Sequence, residues 1–128
     1  MPVRTVVIVI PSGTYRAGAF VEAALSLDLD LIVASDAPTT LPDDRYLRVD
    51  LTNPRAAATA IAEMGHPIDA VVAVDDPSVM TAAMAAELLG VRHNPPPAVA
   101  ATLNKAMLRR ALQASNVPVN MKIFEVDP

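Results

Sequence analysis

Apolar positions along this chain fall into short strand-length runs, each followed by a stretch with helical spacing. Residues 4–10 are β-branched and continuously apolar after Arg4, as a strand covered on both faces reads. Pro11-Ser12-Gly13-Thr14 breaks that run. The spacing then predicts a helix over 17–27, with Phe20, Val21, Ala24 and Leu25 on one face. Residues 29–34 form a second apolar run, closed by Ser35-Asp36-Ala37-Pro38, and 39–44 read as a loop. A short third strand is expected at 46–49. Asp50 or Asn53 can cap the helix that follows, and Pro54 suits its first turn. That helix carries Ala57, Ala60, Ile61 and Met64 at core spacing, and Gly65 stops it.

The second half repeats the alternation. Residues 69–74 form a fourth apolar strand, followed by Asp75-Asp76-Pro77 and a helix to Leu89, closed by Gly90. Residues 91–94 read as a short extended piece. Pro95-Pro96-Pro97 makes a stiff connection to a short turn of helix ending near Ala101. Asn104 opens a last helix over 105–114, and Asn116 can supply its left-handed stop. Residues 117–119 read as extended, and 121–126 as one further strand. Strands alternating with helices predict an α/β domain with an open, mainly parallel sheet, right-handed crossovers and helices on its faces. The helix after Asp76 is apolar nearly all round, interrupted by Ser78, Thr81 and Glu87, so it needs cover beyond the sheet. The last helix, through Met107, Leu108, Ala111 and Leu112, is the expected partial cover. For the remainder, a homodimer contact through Met80 and Met84 is one expectation, and an ordinary buried-core role for the two methionines is the other.

Composition narrows the function classes. The 128 residues suffice for one core. Hydrophobic residues make up 52% and mean hydropathy is +0.35, yet no apolar run approaches the ~20 residues of a membrane helix. The start lacks the long apolar region of a signal peptide, so the expected compartment is the cytoplasm. With no cysteine, thiolate chemistry and disulfides are excluded, and His66 and His93 are not spaced as a ligand pair. A net charge of −4 and 3% aromatics argue against nucleic acid as a partner.

Three segments remain as candidates for chemistry. Ser12, Gly13, Thr14, Tyr15 and Arg16 join a buried strand to a helix start, which offers free N–H groups and a partial positive charge to an anion. The segment matches neither the dinucleotide fingerprint nor the P-loop, and a plain turn capped by Ser12 or Thr14 explains it equally well. Asp75 and Asp76 follow the fourth strand, where open sheets collect ligands. Asp76 stands before Pro77, where a helix N-cap belongs, which leaves Asp75 freer to hold a substrate amine. Lys105 occupies the first turn of its helix, where a cation opposes the dipole. A phosphate site explains it, with Arg109 four residues on; so does a solvated basic face. No base stands beside a nucleophile, so no catalytic residue is expected in this chain.

The stretch Gly90-Val91-Arg92-His93-Asn94-Pro95-Pro96, followed by Asn104-Lys105 and closing with Ala114-Ser115-Asn116-Val117-Pro118-Val119, resembles the end of the pre-ATP-grasp domain of the ATP-grasp superfamily. Members include glycinamide ribonucleotide synthetase, biotin carboxylase, carbamoyl phosphate synthetase and amino-acid ligases. Thr14-Tyr15-Arg16, Ala34-Ser35-Asp36 and Val74-Asp75-Asp76 are similar to signatures at the matching places of the first, second and fourth strands. Asn104, Asn116 and Asn120 depart from the usual Asp, Gly and Pro; Lys105 matches the lysine that contacts ATP phosphates in many members. The resemblance implies a Rossmann-like domain over 1–119, with 120–128 beginning the link to an ATP-grasp domain not contained in this chain. It implies ATP and Mg as cofactors of the full-length parent, with none tightly bound here. The missing C-terminal domain and a small-molecule substrate are the implied partners. The parent would join a carboxylate to an amine, or to a related nucleophile, through an acyl phosphate, and this fragment alone would be inactive. The competing expectation is a self-contained, non-catalytic α/β binding or interaction module.

Overall fold

The structure, a computed structural model, describes residues 3–14, 17–38 and 44–116. The expected loop at 39–44 falls almost wholly outside these, as do Tyr15, Arg16 and the extended segments after residue 116. Chain order is β1 (Thr5–Ile10), α1 (Ala17–Ser26), β2 (Asp30–Ser35), β3 (Tyr46–Arg48), α2 (Pro54–Ala62), β4 (Ala70–Ala73), α3 (Asp76–Leu89), α4 (Pro96–Thr102) and α5 (Lys105–Ala114). The described strands form one parallel sheet in the order β3-β2-β1-β4. Val7 stands opposite Ile32 on one side and Val71 on the other.

The period of two along β1 divides its side chains between two apolar layers. Val7 and Val9 enter the core shared with Ile32, Ala34, Ala57, Ala58, Ile61 and Ala85, beneath α2 and α3. Val6, Ile8 and Ile10 enter the other, with Val33, Val74 and Ala24 of α1. Both faces are covered, which is why these strands are continuously apolar rather than alternating. Full burial of a side chain such as Ile32 or Ile61 contributes roughly 1.5–3 kcal/mol.

Helix boundaries follow local chemistry. Asn53 caps α2, its side chain accepting from the Ala56 N–H at 3.3 Å, with Pro54 at the first position. Asp50 instead turns to Thr52. Gly90 ends α3 in the left-handed region, and Asn116 takes φ 61° after α5. On α1, Ala24 is buried and Phe20 and Val21 pack beside it, but Leu25 is 61% exposed, because the sheet covers a narrower stripe than its spacing suggested. Residues 91–94 do not join the sheet. The apolar helix α3 gains its cover from α2 on one flank and α4 on the other. The last helix packs chiefly on α4, which is interposed, and so does not supply the cover expected of it. Met80 and Met84 are half-buried, and Leu88 is the large apolar side chain of α3 left outward. Among the described residues, no helix is long and apolar enough to cross a membrane.

Candidate functional site

The chain leaves β1 through α1 toward β2, whereas β4 lies on the opposite side of β1. The carboxyl ends of β1 and β4 therefore flank the point where the winding reverses, the place where open sheets form a ligand crevice. Two loops meet there. After β1, Pro11 is buried, Ser12 and Gly13 are exposed, and Gly13 takes φ +82°, a conformation that a side chain would strain. The Ser12 N–H donates to Asp36 Oδ1 at 2.6 Å, so the end of β2 holds the turn in place. Thr14 Oγ1 donates to Asp75 Oδ2 and ties the β1 loop to the end of β4.

Asp75 has φ 61° and ψ 161°, backbone angles that are costly for any residue but glycine. The neighbourhood holds it there. The Val74 N–H donates to Val9 O at 3.0 Å. Ser78 is fully buried, and its hydroxyl donates to Val74 O and, at 2.9 Å, to Asp75 O. Its N–H also donates to Asp75 O at 3.2 Å. The flanks of the strained residue are thus pinned by β1 and by the first turn of α3.

This geometry corrects the sequence reading of Asp76. Asp75, not Asp76, takes the N-cap position of α3, and its side chain makes no capping bond because it is turned toward Thr14. Asp76 is the first helical residue and Pro77 the second, so Asp76 acts as an exposed acidic group at the positive end of the helix. An open hollow of about 600 Å3 is lined by Asp75, Asp76, Pro77 and Val79. The half-buried carboxylate of Asp75 and the exposed one of Asp76 around this hollow can accept hydrogen bonds from a cationic or hydroxylated ligand. Among the described residues, no group of three His, Asp or Glu side chains converges as a metal site.

The structure thus brings Ser12, Gly13, Thr14, Asp75 and Asp76 to one end of the sheet, while Tyr15 and Arg16 lie outside the described residues. Lys105 stands elsewhere, exposed at the start of α5. The helix-start N–H groups of Ala106 and Met107 are already taken by Asn104 Oδ1, at 3.0 and 3.2 Å. What Lys105 offers an anion is therefore chiefly its ammonium. Sequence reasoning missed Ser78, whose only signal was a hydroxyl residue in an otherwise apolar helix. It also gave Asp36 no part in the site, although it stands where β2 ends. A second hollow, lined by Asp36, Arg48, Val49 and Asp50, lies at the ends of β2 and β3. There the Thr52 hydroxyl, and then its N–H, hold the Asp50 carboxyl below its ordinary range.

No family model matches the sequence, and no curated protein matches it. Among solved structures, an L-amino acid ligase from Bacillus licheniformis matches at 22% identity with a TM-score of 0.71. The match covers 92% of this chain and 32% of that chain. The likeness is one of fold, and it runs through nearly every element described above. The chain has the fold of about one third of an L-amino acid ligase.

Proposed function

We propose that the chain is the substrate-side, N-terminal domain of an ATP-grasp ligase. The observation that carries this reading is the match of nearly the whole chain to one third of an L-amino acid ligase, which leaves two thirds of such a protein for nucleotide binding and catalysis. The order of the motifs around Thr14, Asp75 and Lys105 supports it. In the parent, a carboxylate oxygen attacks the γ-phosphorus of ATP and ADP leaves. An amine then attacks the acyl carbon, and phosphate leaves. Stabilising the transferring phosphoryl group requires magnesium held by carboxylates, and in this reading those lie in the C-terminal part of the parent. This chain contributes the Lys105 ammonium toward the nucleotide, and the hollow at Thr14 and Asp75 toward the second substrate, whose amine the carboxylate would hold.

Extending the reading frame past Pro128 and assaying ADP formation with ATP, magnesium and a panel of L-amino acids tests the proposal. Amino-acid-dependent ADP formation is expected from the extended protein, and none from residues 1–128, which fold but turn over no ATP. Magnesium-dependent turnover by residues 1–128 alone would overturn the domain reading. A frame that adds no nucleotide-binding domain would favour the self-contained binding module.

A further inference from the structure

The outer edge of β4 pairs with no strand among the described residues, and Val72 on that strand is 37% exposed. Beside this edge, α3 and α4 enclose a cavity of about 440 Å3, within the ~300–1,000 Å3 of small-molecule pockets. Its floor is apolar: Val71 and Ala73 from β4, with Ala82 and Ala86 from α3. Arg92, His93 and Asn94 also line it. The small floor side chains leave the space open, and the polar residues fall together in one segment between α3 and α4.

The charges specify what fits. Arg92 is exposed and forms no ion pair among the described residues, in a chain whose net charge is −4. His93 Nδ1–H donates to Val91 O at 2.8 Å, and Nε2 lies 3.7 Å from Glu87 Oε2, so the ring is engaged within the protein. One guanidinium, with an amide from Asn94 and a carboxylate at Glu87 nearby, matches a singly charged anion better than a phosphate dianion. A guanidinium fork meets a carboxylate through two parallel N–H···O bonds. We propose that this groove binds a small amphipathic carboxylate, its acid group at Arg92 and its hydrocarbon part on the valine and alanine floor. Val79 lines both this groove and the hollow at Asp75, so the two spaces share a wall. The inference does not depend on the ligase reading.

The test is a titration of the 128-residue chain with octanoate, followed by amide chemical shifts, with 1-octanol as the uncharged control. Saturable shifts are expected in β4, α3 and residues 92–102, with octanol binding about tenfold more weakly. Arg92→Gln should weaken octanoate about tenfold, in line with a lost charge-assisted bond. Ala98→Trp, on an exposed position of α4 that lines the groove, should block it. Circular dichroism melting verifies that both variants fold. Absence of saturable shifts, shifts confined to other faces, or equal affinity for octanol and octanoate would overturn the proposal. So would unchanged octanoate affinity in the folded Arg92→Gln protein.

Discussion

The starts of α5 and α3 solve the same problem in opposite ways. At α5, Asn104 is extended, with φ −130° and ψ 114°, and its side chain accepts from two N–H groups of the first turn. At α3, Asp75 holds φ 61° and ψ 161°, makes no capping bond, and spends its carboxylate on Thr14 of another loop. Asparagine and aspartate are nearly equal as caps, so residue type does not explain the difference. Location does. The α5 start is exposed and answers only to local chemistry, whereas the α3 start stands at the sheet's switch point, where a tertiary partner outcompetes the local one. Strain of about 1–3 kcal/mol is tolerated there because Val9 and Ser78 pin the peptides on either side. An outlier held by its surroundings at a ligand-collecting position is the physical ground for reading this end of the sheet as functional.

The largest effect in this contrast is expected from Ser78→Ala. It removes the hydroxyl bonds to Val74 O and Asp75 O, leaves Asp75 O only the residue-78 N–H, and loosens the strained residue, so it should cost about 1–3 kcal/mol in urea unfolding. A loss below ~0.5 kcal/mol would show that Asp75 keeps its conformation without Ser78. Asn104→Ala removes an ordinary cap and should cost about 1 kcal/mol by the same measurement. The smallest effect belongs to Lys105→Ala. A cation in the first turn opposes the helix dipole, so melting should be unchanged or improved by a few tenths of a kcal/mol. In the extended protein, the same change should raise the KM for ATP. Unaltered ATP kinetics would return Lys105 to a solvated basic face.

Periodicity made the fold legible nearly element by element, because continuous apolar runs and capped helical spacings are local signals. Asn53, Gly90 and Asn116 did what their residue types predict. Burial was less legible. Leu25 fits the apolar stripe of α1 but faces outward, and the cover of α3 depends on how α4 is threaded, which no spacing encodes. The site was half legible. Its two loops could be placed at strand ends, but the bond from Thr14 to Asp75 joins residues 61 positions apart. The rule that an aspartate before proline caps a helix pointed to Asp76, one residue late, because that rule assumes an unstrained residue in front. Nothing local announces that Asp75 adopts a glycine's conformation.

The central claim is that the strained Asp75 serves a ligand and not the fold. Steady-state ADP formation by the extended protein carrying Asp75→Gly tests it most directly. Glycine relieves the backbone strain while losing the bond from Thr14, so stability should stay within about 1 kcal/mol of the original. The account predicts that kcat/KM for the second substrate falls by about tenfold or more while the KM for ATP holds. Unchanged kinetics for both substrates in that stable protein would contradict it and make the Thr14–Asp75 bond a packing feature.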